Sequence, residues 1–411
     1  MPKLVQFGAG NIGRSFIGQL FARAGYEVVF IDVDMRTVNA LNERHEYRIE
    51  VKDDPPDELI VKNVRAVNGN DRVAVVEELV GARICGTAVG IKALPYIYPS
   101  LAAGIAERRR RGDRPLDVIL CENLHHAADQ VRAGLAEQLP PDFPLQDCVG
   151  LIETSIGKMV PIVPEAVRQQ DPLVVQAEAY NTLFLDALAF KNPIPRIPGL
   201  AARTNMHAYV DRKLYIHNLG HAAVAYETAR RHPGVNTIGE AVLIPDVREL
   251  AQAAMRESAL ALEKAYPDEF NNHNLEEHIQ DLLRRFKNPA LGDTVFRVGR
   301  DLRRKLARED RIIGAMLLDL GNGVQPLITA RIAAAAMQFR ATDENGHMDP
   351  GDSTFVTEDL LQGPDHVFSQ ICGLRTADST DNRIRDLIEA ALYEQGAFIS
   401  SPASDFPRRV E

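Results

Sequence analysis

Lys213, His217, Asn218 and His221 fall close together in the run Lys213-Leu214-Tyr215-Ile216-His217-Asn218-Leu219-Gly220-His221. On an α-helix advancing about 100° per residue, Lys213, His217, His221 and Asn218 stand at roughly 0°, 40°, 80° and 140° and share one face. Leu214, Ile216 and Leu219 lie mainly off that arc and can bind the helix to a core. A lysine in a partly desolvated pocket holds its proton less firmly and can exchange one with an alcohol or ketone, while an asparagine amide donates to a developing oxyanion. Zinc is a rival reading, because His217 and His221 have the i, i+4 spacing of a metal pair. A zinc site wants a third ligand and usually a general base nearby, and HExxH is absent because position 218 is Asn. An ordinary amphipathic helix with satisfied polar groups fits the same residues.

A second constellation lies at the start of the chain. Gly8-Ala9-Gly10-Asn11-Ile12-Gly13 follows an apolar run at 4–7 and opens a helical pattern in which Ile12, Phe16, Ile17, Leu20 and Phe21 share a face. In that setting Gly8 allows a tight turn, Gly10 lets the backbone approach a pyrophosphate and Gly13 permits close helix–strand packing. The helix N-terminus offers free N–H groups to the phosphates, through Asn11 and Ile12 among others. Gly25 caps the helix, a strand is expected at 27–31, and Asp32 follows as acceptor for the adenosine ribose hydroxyls. A carboxylate there would repel a 2′-phosphate, so the expected cofactor is NAD rather than NADP. Asp34 is an alternative acceptor, and Arg36 argues mildly for NADP.

These residues need elements to position them. At 411 residues, two domains are expected. Hydrophobic residues at 45% and charged residues at 25% describe ordinary globular protein and exclude wholesale disorder. The formal charge of −10, from 47 basic and 57 acidic residues, argues against a general nucleic-acid binder but leaves room for a local cation cluster. Four cysteines without a CxxC pair support neither a disulfide scaffold nor a zinc ribbon. No apolar stretch approaches the roughly 18–20 residues of a membrane span, and the strand-like run begins too early for a signal peptide. A cytoplasmic location is therefore expected, with no membrane or nucleic-acid partner.

Strand-like runs at 4–7, 27–31, 83–87, 117–121 and 148–152 alternate with helical patterns. That alternation predicts βαβ units and a mainly parallel sheet, with an added strand or two at 174–185. The segment 191–199 has prolines at 193, 195 and 198 and marks the expected boundary. Beyond it, helices are expected at 206–221, 247–265, 275–286, 295–306, 313–320, 327–339 and 382–393. The expected fold class is an α/β Rossmann-type N-terminal domain (1–195) plus a mostly α-helical C-terminal domain (196–399), with a polar tail at 400–411.

Lys213, Asn218 and His221 read as K-x4-N-x2-H, which resembles the signature of the polyol-specific long-chain dehydrogenases/reductases. The resemblance extends through Phe7 to Arg14, Thr87-Ala88-Val89-Gly90, Cys121-Glu122-Asn123, Asn192 through Gly199, Arg212-Lys213-Leu214, Arg285-Phe286, Asn288-Pro289, Arg297 to Arg300 and Ala333 through Arg340. It covers nearly the whole chain and is nearest to the members that act on polyol phosphates. It implies NAD-dependent, metal-independent hydride transfer by a monomer acting on a sugar or polyol phosphate. It also implies that Lys213 is general base in oxidation and general acid in reduction, that Asn218 and Asn123 donate to the substrate oxygen, and that His221 holds a neighbouring hydroxyl. Asn123 is independently plausible because ligands of open α/β sheets bind at strand carboxyl ends; as an alternative, it caps the next helix. Thr87, Ala88 and Val89 are expected along the cofactor.

The family commonly has an Asp-Arg pair where this chain has Gly157-Lys158, and a lysine keeps the charge without the bidentate fork. That departure bears on the sugar, not on the reaction class. For a phosphate, Arg297, Arg300 and Arg304 share one face of an expected continuous helix and Lys305 adjoins them. Arg300 and Lys305 are preferred because the resemblance keeps both. The alternative is a solvated basic face paired with Asp293 and Asp301, which would favour a non-phosphorylated polyol or hexuronate. A catalytically silent NAD-binding protein is a further alternative, though it would not require Lys213, Asn218, His221 and Asn123 together. His125, His126 and His273 read as surface or loop histidines.

Overall fold

The computed structural model describes residues 1–397 apart from Asp54, Asn123, His125 and Ile162; the expected tail at 400–411 lies outside the described residues. The chain divides into two compact units, Met1–Val210 and Asp211–Glu411.

The first unit contains β1 (Lys3–Phe7), β2 (Glu27–Asp32), β3 (Glu46–Val51), β4 (Asp57–Lys62), β5 (Val64–Asn68), β6 (Ile84–Thr87), β7 (Leu116–Leu120), β8 (Val149–Ile156), β9 (Val175–Ala177), β10 (Leu183–Asp186) and β11 (Leu200–Arg203). Eight of them form one sheet in the order β11-β10-β8-β7-β6-β1-β2-β5. From β5 to β8 every pair is parallel; only the β10–β8 pair is antiparallel. Strand order reverses beside β1, where β2 lies on one side and β6 on the other, and such a switch point opens a crevice for a ligand.

Side-chain alternation explains why both faces are covered. Leu4, Val28, Phe30, Ile84, Ile119 and Ile152 project to one face and pack with Phe16, Ile17, Leu20 and Phe21. Val5, Phe7, Val29, Ile31, Cys85, Val118 and Leu120 project to the other, with Leu79, Leu101, Ile105, Val131 and Leu135. A parallel sheet buried on both faces reads as near-continuous apolar runs, which is how these strands were recognisable. The sequence reading lacked β3, β4, β5 and β11. β3 and β4 are an antiparallel hairpin, with β9 added in parallel as a separate three-stranded sheet. So the run at 174–185 divides between two sheets.

The second unit is helical: α1 (Leu219–Arg231), α2 (Pro245–Ala265), α3 (Asn272–Phe286), α4 (Val295–Gly299), α5 (Leu302–Lys305), α6 (Ile313–Gly321), α7 (Leu327–Met337) and α8 (Ser379–Glu394), among shorter turns. Two expectations fail locally. Residues 213–218 form a π-helical segment rather than α-helix. The expected helix at 295–306 breaks into α4 and α5, because Arg300 leaves helical backbone and Asp301 takes a positive φ of 72°. Asp352 then caps α5, accepting from the N–H groups of Asp301 and Leu302 at 3.1 and 2.7 Å. Among the described residues no helix is long and apolar enough to cross a membrane.

In the first unit, Asp117 ties the segment after β10 to β7. Its carboxylate, only 2% exposed, accepts from Lys191 N, Asn192 N and Asn192 Nδ2 at 2.8, 3.1 and 2.9 Å. Asp117→Ala leaves two backbone N–H groups without this acceptor and is expected to cost about 3 kcal/mol. For a unit of this size that lowers Tm by roughly 6–12 °C. Thermal unfolding followed by circular dichroism checks it, and an unchanged Tm would contradict the role given to the carboxylate.

Candidate active site

The glycine-rich loop leaves β1 at Gly8, whose φ is +90°. A Cβ on Gly8 would meet Ala88 O at 2.4 Å, and one on Gly13 would meet Gly8 O at 2.0 Å, so both positions exclude a side chain. Gly10 is exposed, and a Cβ there meets nothing within 4 Å. Backbone at that position is open to a ligand, and Asn11 and Ile12 follow at the start of the π-helical segment Gly13–Gly18. Arg14 is buried, donating through Nε to Ala9 O at 2.6 Å and through Nη1 to Pro172 O at 3.2 Å.

Asp32 ends β2 and faces the loop. Its Oδ2 accepts from Ala9 N at 2.7 Å and its Oδ1 from Asp34 N at 3.0 Å. Asp34 caps the following helix, accepting from Thr37 Oγ1 at 2.7 Å and Arg36 N at 3.1 Å. The Thr37 hydroxyl, ahead of the backbone N–H groups, holds its carboxyl below the usual range. Arg36 donates through Nη2 to Arg168 O and Gln169 O. Of the two acids, Asp32 is the one joined to the glycine loop.

At the end of β6, Thr87 is buried, and its Oγ1 has no hydrogen-bond partner among the described residues. Ala88 N donates to Phe7 O at 2.9 Å. Val89 N and Gly90 N donate to the Glu122 carboxylate at 3.0 and 2.8 Å. Glu122 thus fixes the 87–90 turn, a role the sequence reading did not assign. Its signal was present in an acid one residue past a buried strand. The open backbone at Gly10, the close packing at Gly8 and Gly13 and the acid at Asp32 together fit a dinucleotide. Asn123 lies outside the described residues, as does His125. His126 stands beside His207, and His273 is exposed beside Glu277.

Lys158, the departure from the family pattern, is buried. Its ammonium donates to Glu178 O at 2.7 Å, Tyr180 O at 2.8 Å and Asn181 Oδ1 at 2.7 Å. These acceptors hold the ammonium within the first unit's own fold.

In the second unit the π-helical segment Lys213–Asn218 runs into α1. A π turn is wider than the α turn assumed by a 100° wheel. Lys213, Asn218 and His221 are half-buried, whereas His217 is buried beside Phe286. The Lys213 amine has its proton affinity pushed down to about 8, first by burial and then by the Arg311 guanidinium, with Asp310 opposing. His221 is pushed down to about 3, by burial and then by Arg297, Lys305, Arg311 and Arg285, so it is neutral near pH 7. Its ring stacks on Phe286 with centroids 4.6 Å apart and planes 10° off parallel. Nε2 stands 3.4 Å from Asp293 Oδ2.

The break between α4 and α5 removes the continuous face expected for Arg297, Arg300 and Arg304. Arg297 pairs with Asp293. Arg304 pairs with Asp301 and reaches Asp310 Oδ2 at 3.0 Å. Lys305 is buried and donates to Val298 O; burial and then Arg311 push its proton affinity down to about 7. Arg300 is more exposed, 3.9 Å from Asp349 and over the Phe296 ring. Sequence reasoning missed Asp310 and Arg311, both buried and paired through Arg311 Nε at 2.7 Å. In sequence they belong to a charged run, Arg308-Glu309-Asp310-Arg311, which reads as a solvated turn.

Residues 2–199 match the family model described as the mannitol dehydrogenase Rossmann domain, and residues 205–366 match the mannitol dehydrogenase C-terminal domain. Two solved structures share the fold across both chains. One is Pseudomonas fluorescens mannitol 2-dehydrogenase in ternary complex with NAD and D-mannitol: 17% identity, TM-score 0.73, covering 96% of this chain and 92% of that one. The other is a D-sorbitol dehydrogenase in substrate-free form: 15% identity, TM-score 0.75, covering 96% and 94%.

The two glycines differ in a way that can be measured. Gly13→Ala forces backbone apart and is expected to lower Tm, whereas Gly10→Ala leaves Tm near wild type but weakens NADH binding by about tenfold or more, because its methyl stands where a phosphate must approach. Thermal unfolding and NADH fluorescence titration separate the two. Undiminished NADH affinity in Gly10→Ala would refute the loop as a pyrophosphate site.

Proposed function

The chain belongs to the mannitol dehydrogenase family, and from that premise we propose that it is an NAD-dependent polyol-phosphate dehydrogenase interconverting mannitol 1-phosphate and fructose 6-phosphate. The observation that carries the reaction class is Lys213, a half-buried lysine whose proton affinity is pushed down to about 8 and which acts on the neutral, buried His217. NAD, when bound, supplies the hydride acceptor in oxidation and, as NADH, the donor in reduction. Gly8, Gly10, Asn11, Ile12 and Gly13 with Asp32 are the residues to hold it, lined by Thr87, Ala88 and Val89.

In oxidation, neutral Lys213 Nζ takes the proton of the substrate hydroxyl as the carbinol carbon gives up hydride. In reduction, the protonated amine returns that proton to the carbonyl oxygen. Asn218 and Asn123 donate amide N–H groups to that oxygen while charge develops on it. His221, uncharged, holds an adjacent hydroxyl without attracting the substrate's anionic end away from its own site.

The phosphorylated substrate is supported by the cations gathered around His221: Arg297, Lys305, Arg311 and Arg285 all act on it. Of the expected phosphate contacts Arg300, Lys305, Arg297 and Arg304, Arg300 is the most open, while the other three already have protein acceptors. The carboxylate partners of Arg297 and Arg304 support a second reading, a non-phosphorylated polyol or hexuronate as substrate. Mixing NADH with fructose 6-phosphate and following NADH absorbance decides between them. Turnover on fructose 6-phosphate is expected; turnover only on fructose or a hexuronate would move the assignment to the second reading.

A lysine base titrating near 8 fixes the sign of the pH dependence. Oxidation requires the neutral amine, so its kcat/KM rises about tenfold per pH unit below about 8 and levels above it. Reduction requires the ammonium and falls over the same range. Lys213→Ala is expected to lower kcat by about 100-fold or more while NADH still binds. An unshifted profile in the variant, or retained activity, would refute Lys213 as the proton-exchanging group.

A further inference from the structure

Arg311 is buried at the start of α6, and its hydrogen bonding is incomplete. Its Nε donates to Asp310 Oδ1 at 2.7 Å, and its backbone N–H to the same oxygen at 2.7 Å. Among the described residues, neither Nη1 nor Nη2 has an acceptor. Neither nitrogen is sealed from water, so the end of the fork is open to a solute. Asp310 is itself divided, since its Oδ2 accepts from Arg304 Nη1 at 3.0 Å. One carboxylate therefore serves two guanidinium groups. The pairing locks Arg311 through Nε and leaves the end of the fork, the two Nη groups, for something else.

What that end faces is set by the packing. Arg311 acts electrostatically on Lys213, His221, Lys305 and the Tyr226 hydroxyl, so it stands among the groups assigned to the reaction. The start of α6 abuts the π-helical segment directly: a Cβ on Gly314 would meet the Tyr215 ring at 2.9 Å. Arg300 is exposed and only 3.9 Å from Asp349, whereas the less open cations of this region already have protein acceptors. Arg297 has Asp293, Arg304 has Asp301 and Asp310, and Lys305 has Val298 O.

We propose that the Nη1 and Nη2 groups of Arg311 hold the terminal oxyanion of the substrate as a two-pronged clamp, with Asp310 fixing the guanidinium. The inference rests on the reading of a phosphorylated substrate, for which the oxyanion is the phosphate; a hexuronate carboxylate would present the same chemistry. A planar fork recognises either group through two parallel hydrogen bonds, a geometry a lysine does not reproduce. No other residue of the 293–311 region combines burial, a fixed orientation and two open donors.

The test uses full-length wild type, Arg311→Gln and Arg311→Lys. Steady-state kinetics are measured with fructose 6-phosphate, a hexuronate and unphosphorylated fructose, each at the plateau of its own pH profile, because loss of the Arg311 charge also moves the Lys213 titration upward. In Arg311→Gln the ratio of kcat/KM for fructose 6-phosphate over fructose is expected to fall on the order of 100-fold, mostly through KM. Inhibition by inorganic phosphate should weaken in parallel. Arg311→Lys keeps charge opposite Asp310, guards against a folding defect, and should recover only part of the ratio. Equal loss on all three substrates, or undiminished phosphate inhibition in Arg311→Gln, would overturn the clamp. Wild-type turnover on the hexuronate but not on fructose 6-phosphate, with loss of the hexuronate preference in Arg311→Gln, would overturn the phosphate reading and uphold the clamp.

Discussion

A lysine held partly out of water gives up its proton more readily, and much of the charge in the second unit is arranged around one such group, Lys213. Burial alone weakens an ammonium, and a guanidinium beside it weakens it further. Here both act on Lys213, with Arg311 as the second cause. Cations gathered close together repel one another unless carboxylates or carbonyls answer them. Asp293, Asp301, Asp310 and Val298 O are that answer, and they account for the irregular path between α4 and α6. A continuous helix at 295–306 would keep Asp301 and Asp352 from meeting as they do, because the backbone N–H of Asp301 would then be spent within the helix.

The first unit solves a different problem, the close approach of a phosphate to backbone. Gly8 and Gly13 are glycines because other backbone occupies the place of a side chain, whereas Gly10 is a glycine because nothing does. That contrast distinguishes residues that look identical in sequence and leaves only Gly10 of the three with open backbone. Carboxylates complete the arrangement on both sides of β1. Asp32 holds the loop by Ala9 N, and Glu122 holds the 87–90 turn by two N–H groups. Each acid thereby converts a flexible turn into a fixed wall of the crevice beside β1.

The parts legible in the sequence are those governed by period and by glycine. Strands buried on both faces appear as unbroken apolar runs, and the glycine loop sits between two of them, so the crevice beside β1 is legible in the sequence. β3 and β4 were not legible as easily. Tyr47 and Ile49 are buried while Arg48 and Glu50 face outward, giving a short alternation diluted by charge. The helix break at Arg300 and Asp301 follows Gly299, but a Cβ there would meet the Phe339 ring, so that glycine is accounted for by packing. The break depends on Asp352, distant in sequence, accepting the N–H groups that the break releases. Lys158 was legible as a departure from the family pattern but not in its consequence, because its three acceptors come from residues 178–181.

Arg311 shows why charge in a sequence is hard to read. Within Arg308-Glu309-Asp310-Arg311 every residue looks solvated, yet the four have different surroundings: Arg308 reaches the buried Asp381, Glu309 is exposed, and Asp310 and Arg311 are buried together. Burial of the last two is imposed by α6, whose apolar start at Ile312 and Ile313 is fully inside and draws the preceding turn with it. A charged pair dragged into a core in this way is costly unless it meets a complementary charge. The internal carboxylate serves the Arg311 side chain only through Nε, which leaves the outer end of the fork to the anion proposed for it.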